Sequence, residues 1–274
     1  MSQDDRGEEP VVLLRRSIGR EVFRLASIQV ELDNISMTYQ SPLSETKAIE
    51  DISLQVTQGE FVSIVGPSGC GKSTLLDIIC GLVEPTRGKV GVYSPVGYML
   101  QRDHLFEWCS IRKNCLLGPE VQGQNLKEAR IYVDYLLSTY GLGDFADYYP
   151  RQLSGGMRQR AALIRTLAVK PEVLLLDEPF SALDYQTRLA VVDDVWSIVC
   201  REGKTAVFVT HDIAEAISMS DRIIVLTNRP SMVKSVHTIL MDKKLNPLQR
   251  RQEGSFRRYF DLIWKELDVH VDRD

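Results

Sequence analysis

Long hydrophobic runs are missing from this 274-residue chain. No stretch approaches the roughly 18 unbroken apolar residues of a membrane-spanning helix. The best, Leu75 to Val83, is short and carries Asp77. The N-terminus does not read as a secretory signal. Asp4, Asp5, Glu8 and Glu9 precede a brief apolar run, Val11 to Leu14, which Arg15 and Arg16 close. Cysteine is sparse: five residues, at 70, 80, 109, 115 and 200, odd in number and without C-x-x-C spacing. That excludes a disulfide framework and a zinc site, and is the usage expected in a reducing cytosol. Neither sign of charge dominates. Lys and Arg number 33 against 37 Asp and Glu, a net charge of −4, so nothing strongly basic points to nucleic acid and no acidic tail points to disorder. Internal repeats and low-complexity segments are absent as well.

What is present is an ordinary globular composition, 44% hydrophobic and 26% charged. The length allows one or two domains and burial of about three quarters of the unfolded surface. Residues 1 to about 25 are charged and weakly patterned, an extension the core does not need. Beyond them, short apolar runs alternate with helical patterns. Glu60 to Val65 is strand-like and ends at a glycine loop, and Lys72 to Cys80 reads as a helix that Gly81 stops. Leu126, Ala129, Val133, Leu136, Leu137 and Tyr140 recur at helical spacing until Gly141, and Met157 to Ala168 is helical too. Val173 to Leu176, Ala206 to Val209 and Arg222 to Leu226 read as strands buried on both faces. Leu189, Val192, Trp196 and Val199 mark a further helix, and Phe256, Phe260, Ile263 and Leu267 an amphipathic one. The arginine pairs at 15–16, 250–251 and 257–258 are expected on solvated faces. This alternation predicts an α/β fold with a largely parallel sheet, whose ligands bind beyond the carboxyl ends of the strands. Three apolar runs lead there into polar residues: Gly66 to Ser73, Asp177-Glu178 and His211-Asp212.

Gly66-Pro67-Ser68-Gly69-Cys70-Gly71-Lys72-Ser73 fits G-x-x-x-x-G-K-[ST]. Such a loop curls so that several N–H groups face one anion, and the helix behind it adds its positive end. Lys72 is placed to reach the β- and γ-phosphates, and Ser73 to offer a hydroxyl to Mg²⁺. A four-position match of this kind arises by chance in about 1% of chains this long, and the strand before it and the helix after it lower that further. Cys70 reads as a small side chain that fits the loop. Asp177 and Glu178 end a strand on opposite faces, so they are expected to divide the work. Asp177 would hold Mg²⁺, and Glu178 would polarise the attacking water. Alone, the pair would read as a solvated acidic turn before Pro179; the phosphate loop upstream decides between the readings. Ser154-Gly155-Gly156 opens a helix and creates a second anion site. One nucleotide does not need two helix N-termini from distant segments, so a dimer in which each copy offers this segment to its partner's ATP is the natural solution.

These residues together resemble the nucleotide-binding subunit of an ATP-binding cassette (ABC) transporter, over about residues 26 to 230 and with seven motifs in the family's order. The resemblance implies a P-loop NTPase core with a mostly parallel sheet, an antiparallel β subdomain and a helical subdomain at about 102–168. The cassette would span 26–245, followed by a helical tail at 246–274. It places Gln101 at the family's glutamine loop, as a Mg²⁺ and water sensor. Leu153 to Gln159 falls at its signature, Ser181-Ala182-Leu183-Asp184 at the loop crossing the dimer interface, and His211 at the γ-phosphate. Tyr39 is set against adenine, and Thr74 closes the phosphate loop. ATP and Mg²⁺ are the implied ligands. The form Leu-Ser-Gly-Gly-Met-Arg-Gln-Arg and the stretch from Gln101 to Asn114 are similar to one bacterial importer branch, that for nitrate, sulfonates and taurine. Two departures stand out: Met157 where many members have Gln, and Glu107 where proline is common.

The implied setting is the cytoplasmic face of the inner membrane. There two copies, head to tail, would drive a permease and act indirectly with an extracytoplasmic solute-binding protein. Leu105, Phe106 and Trp108 would anchor a permease helix. Two other readings stay open: a cassette serving an exporter, and a soluble ATPase of the same superfamily acting on DNA or ribosomes. Against the second, only residues 102–153 lie between Gln101 and Ser154, too few for the long coiled coil of the DNA-repair members, and the chain carries one cassette rather than two.

Overall fold

The computed structural model describes residues 27–41 and 44–267. The expected N-terminal extension, with Arg15 and Arg16, and residues 268–274 of the tail lie outside them. In chain order the elements are β1 (Ile28–Ser41), β2 (Ser44–Thr57), β3 (Phe61–Val65), α1 (Lys72–Ile79), β4 (Arg87–Val92), β5 (Val96–Met99), α2 (Ile111–Val121), α3 (Leu126–Thr139), α4 (Gly155–Leu167), β6 (Val173–Asp177), α5 (Tyr185–Arg201), β7 (Thr205–Thr210), α6 (Ile213–Met219), β8 (Arg222–Leu226), β9 (Val233–Thr238), α7 (Pro247–Arg250) and α8 (Gly254–Leu267).

The main sheet has the order β5-β6-β7-β3-β8-β9, parallel except for β9. Its central strands β3, β6 and β7 are buried at every residue, which is why they read as unbroken apolar runs. Parallel neighbours need crossovers, and the helices supply them. The order has a direct consequence for chemistry. β6 and β3 flank β7, with Asp177 level with Val209 and Val65 level with Thr210. The loops that follow these three strands therefore leave the sheet side by side. A smaller antiparallel sheet, β2-β1-β4, lies over α1, with Ile52, Leu54 and Val56 of β2 facing inward in alternation.

The helices follow the apolar periodicity closely. Ala129, Val133, Leu136 and Leu137 form the buried face of α3. Leu126 at its start is exposed, and Tyr140 is its cap. α5 buries Val191, Val192, Val195, Ile198 and Val199. One continuous apolar cluster joins α2, α3 and α4 to β6, β7 and α5, so the helical region from 111 to 167 shares a core with the main sheet. At the other end, α8 sets Phe256, Phe260, Ile263 and Leu267 against α6 and β8. Arg250 corrects an expectation. It is 3% exposed rather than solvated, donates from Nε to Leu245 O at 3.1 Å and lies 5.4 Å over the Trp196 ring, where the weakly hydrated guanidinium stacks favourably. None of the described helices is long and apolar enough to cross a membrane.

Candidate active site

The loop Gly66–Ser73 connects β3 to α1. Gly71 caps α1 with φ 112°, a left-handed conformation that costs glycine little. A Cβ there would also fall 3.3 Å from Ala48 O. Lys72, 5% exposed, curls back to donate from Nζ to Gly66 O (2.9 Å) and Pro67 O (3.0 Å). Cys70 is buried, and burial pushes its thiol up despite the nearby Lys72 charge. It therefore stays a thiol, consistent with a filler of space. Thr74 Oγ1 lies 3.2 Å from the hydroxyl of Tyr39. That tyrosine is 41% exposed, near the end of a fourteen-residue strand.

At the end of β6 the two carboxylates diverge. Asp177 is buried. Its Oδ2 accepts from Tyr98 Oη at 3.4 Å, and Ser73 hydrogen-bonds to the same side chain. Burial raises this carboxyl above the usual range, the Ser73 hydrogen bond opposes the rise, and the charges of Glu178 and Asp77 add to it. Asp177 Oδ1 is buried with no hydrogen-bond partner. An orphaned acid oxygen beside a serine hydroxyl is a donor set that suits a hard divalent cation. Among the described residues no cluster of three or more acids, histidines or cysteines could hold a metal alone, so phosphate oxygens would have to complete the shell. Ser73 and Asp177 thus fit Mg²⁺ held jointly with a nucleotide.

Glu178 turns the other way, with φ 41°, a backbone conformation that costs a non-glycine residue about 1–3 kcal/mol. Its Oε2 lies 3.0 Å from His211 Nδ1 and 3.4 Å from Gln101 Nε2, and its Oε1 is 3.9 Å from Lys72 Nζ. Residues from three separated segments thus meet on one carboxylate.

Ser154, Gly155, Gly156 and Asp184 make other contacts. Ser154 caps α4, accepting from Met157 N at 3.4 Å. Gly155 and Gly156 form the first turn of α4. A Cβ on Gly156 would come within 2.9 Å of Val191 Cγ2, so glycine is what lets α4 approach α5. Asp184 caps α5 through Thr187 N at 3.1 Å, and its hydrogen bonds to Thr187 hold its carboxyl below the usual range. Among the described residues no hydrogen bond or ion pair ties Ser154 or Asp184 to residues 66–73, Asp177 or Glu178.

Some organising residues lie outside the motifs. Arg158 of α4 grips Asp103 through Nε (2.8 Å) and Nη2 (3.0 Å) and reaches Glu107 at 2.8 Å. Arg165 donates to His104 O (2.6 Å) and Asp103 O (2.7 Å). Burial would raise Asp103, but Arg158 and the Leu105 N–H outweigh it and hold the carboxyl down. The segment after Gln101 is therefore fastened to the helix that Ser154 opens, and Glu107 has a partner that proline would lack. Met157 packs its side chain against the main core. Asn114, fully buried, accepts from Phe106 N (2.7 Å) and donates to Phe106 O, Cys109 O and Ser110 O at 3.0–3.1 Å. It fixes a loop on which Phe106 and Trp108 stand exposed, their rings 5.0 Å apart. Leu105, expected as a surface anchor, is instead buried in the core. The partners of Arg158 and Arg165 are far apart in sequence, and no spacing rule encodes them.

The fold and this constellation are those of a phosphate-loop nucleotide-binding protein, with one acid placed where it could hold a metal and another where it could face a water. Comparisons narrow the class. The family model described as ABC transporter matches residues 49–181. The ABC transporter ATP-binding protein YtlC of Bacillus subtilis is 46% identical over 87% of this chain and 95% of its own length. The taurine import ATP-binding protein TauB of Ruegeria pomeroyi is 40% identical over 74% of this chain and 80% of its own. Among solved structures, the cassette MJ0796, described as a dimeric post-hydrolysis state bound to ADP and Pi, is 32% identical. It covers 77% of this chain and 99% of its own, with a TM-score of 0.67. This chain belongs to the ABC transporter family and is one of its ATPase cassettes.

Proposed function

We propose that this cassette powers a bacterial importer for a small solute of the nitrate, sulfonate or taurine kind, working against a permease on the cytoplasmic face of the inner membrane. The observation that carries import is the likeness to relatives whose names describe taurine import, at 40% identity across most of their length. The exposed pair Phe106 and Trp108, set by Asn114 and tied through Arg158 to α4, offers a permease helix two aromatic anchors beside the nucleotide sensor Gln101.

In the cycle, Lys72 exchanges the carbonyls of Gly66 and Pro67 for phosphate oxygens, while the loop N–H groups and Thr74 settle on the anion and Tyr39 stacks on adenine. Ser73, Asp177 and Gln101 would hold Mg²⁺, which would supply charge neutralisation. Glu178 leaves His211 and Lys72 to accept a proton from the attacking water, and His211 turns to the γ-phosphate. Ser154, Gly155, Gly156 and Asp184 serve the partner's nucleotide in a head-to-tail homodimer. Among the described residues Ser154 and Asp184 make only their own helix-cap bonds and none to this chain's phosphate loop, which supports that reading, as does the dimeric state named for the MJ0796 cassette.

The test is to purify the tagged chain from detergent-solubilised host membranes and identify what accompanies it by mass spectrometry. Recovery of a multi-span permease with a solute-binding protein encoded beside it supports import. A permease without one turns the reading to export, and soluble proteins or nucleic acid alone, under conditions that preserve permease complexes, defeat it.

A further inference from the structure

The turn after β8, residues 227–232, is closed on itself by Thr227 N to Met232 O (3.0 Å) and Met232 N to Thr227 Oγ1 (2.9 Å). It is also fastened to β2. Ser231, fully buried, donates from N (3.0 Å) and Oγ (3.3 Å) to Ala48 O, and its carbonyl accepts from Glu50 N at 2.9 Å. From this base Arg229 reaches the phosphate loop. Its Nε (3.1 Å) and Nη2 (2.6 Å) both donate to Gly69 O. These are charge-assisted bonds from a cation that cannot lose its proton.

Gly69 O and Cys70 N–H belong to one planar trans peptide and point in opposite directions. Holding the carbonyl outward therefore aims the Cys70 N–H inward, where it lies 3.3 Å from Pro67 O. Two cations thus hold the loop's carbonyls, Lys72 those of Gly66 and Pro67, and Arg229 that of Gly69. Lys72 is needed by the phosphates and has to let go. Arg229 holds the opposite side of the peptide and can stay. We infer that Arg229 is a positioning residue that presets the Gly69–Cys70 peptide for phosphate, so that less ordering is left for nucleotide binding to bring about. The inference rests on nucleotide binding at this loop.

The experiment measures ATP and ADP affinity of the full chain by calorimetry, together with kcat and KM, for the wild type, Arg229→Ala, Arg229→Lys and Lys72→Ala. Arg229→Ala is expected to weaken ATP and ADP by the same factor, about tenfold for an exposed charge-assisted contact. It should raise KM in step and leave kcat at saturating ATP within about twofold. Arg229→Lys, a single-point donor, should recover part of the affinity. Unchanged affinity in Arg229→Ala, with wild type binding and Lys72→Ala impaired, overturns the role of Arg229 and leaves the phosphate loop standing. A loss confined to ATP overturns it also, because the guanidinium would then act on the γ-phosphate. Failure of the wild type to bind either nucleotide would remove the loop reading and the inference together.

Discussion

Glu215 gives the structure its clearest pH signature. It lies on α6, 3% exposed, one turn beyond His211. Its Oε2 accepts from Thr210 Oγ1 at 2.8 Å, and Arg188 Nε stands 4.0 Å from Oε1. Burial pushes its carboxyl up from 4.5 to about 7, the Asp212 charge adds to the rise, and Thr210, Arg188 and Arg251 only partly oppose it. The sign follows from linkage. The unfolded chain gives up this proton near 4.5 and the folded chain near 7, so between those values the native state holds more protons and loses stability as pH rises. At about 1.4 kcal/mol per pH unit, the loss completed by the upper end of that window is about 3 kcal/mol. Glu215→Gln keeps the shape and a partner for Thr210 but cannot titrate. Urea unfolding followed by tryptophan fluorescence, at pH 4.5 to 8.5, isolates the effect as the difference between variant and wild type. This removes the opposite contributions of low carboxyls such as Asp103 and Glu266. The variant should gain on the wild type by about 2–3 kcal/mol from pH 5 to 8 and level off above. A flat or falling difference curve would refute the claim that Glu215 is held largely neutral.

Other perturbations bear on the site. Glu178→Gln should keep ATP binding and lower hydrolysis by about 10² or more, with an ATP-bound dimer accumulating on gel filtration; near-normal turnover would remove Glu178 from the role. Asn114→Ala leaves Cys109 O without its donor and Phe106 N without its acceptor, while Phe106 O keeps the Cys109 N–H and Ser110 O the Asn114 N–H, so a cost of about 2–4 kcal/mol is expected in urea unfolding, against less than 1 if the loop holds itself. Gly156→Ala drives a methyl toward Val191 and should cost about 1–3 kcal/mol. In a Val191→Ala background the same change should cost much less, and an undiminished cost there would show that the α4–α5 contact is not the cause.

Legibility from sequence tracked how local the physics was. β3, β6, β7 and β8 were readable because both of their faces are buried, which leaves an unbroken apolar run. The phosphate loop was readable because eight successive residues carry its whole mechanism. β1 and β2 lack such a signal, since their pairing shifts register several times and disturbs the alternation. Arg158 with Asp103, Tyr98 with Asp177 and Arg229 with Gly69 are 55, 79 and 160 positions apart, and a charge or a phenol in sequence does not name its partner.

Ser154 and Asp184 show a subtler limit. Each is fully explained as a helix cap within this chain, and each is also assigned a role toward a partner's nucleotide. The two explanations do not compete equally. Ser154 caps by accepting from Met157 N, which uses an oxygen lone pair and leaves the hydroxyl hydrogen free to donate to a phosphate. Asp184 can only accept, so its cap and any contact with the partner must share acceptor sites. Ser154→Ala would therefore remove a cap and a phosphate donor at once, whereas Ser154→Asp would keep the cap and place a negative charge against the γ-phosphate. If dimer closure on ATP survives in Ser154→Asp, capping is the whole of what Ser154 does. If closure fails while α4 stays as stable as in the wild type, the hydroxyl belongs to the partner's nucleotide.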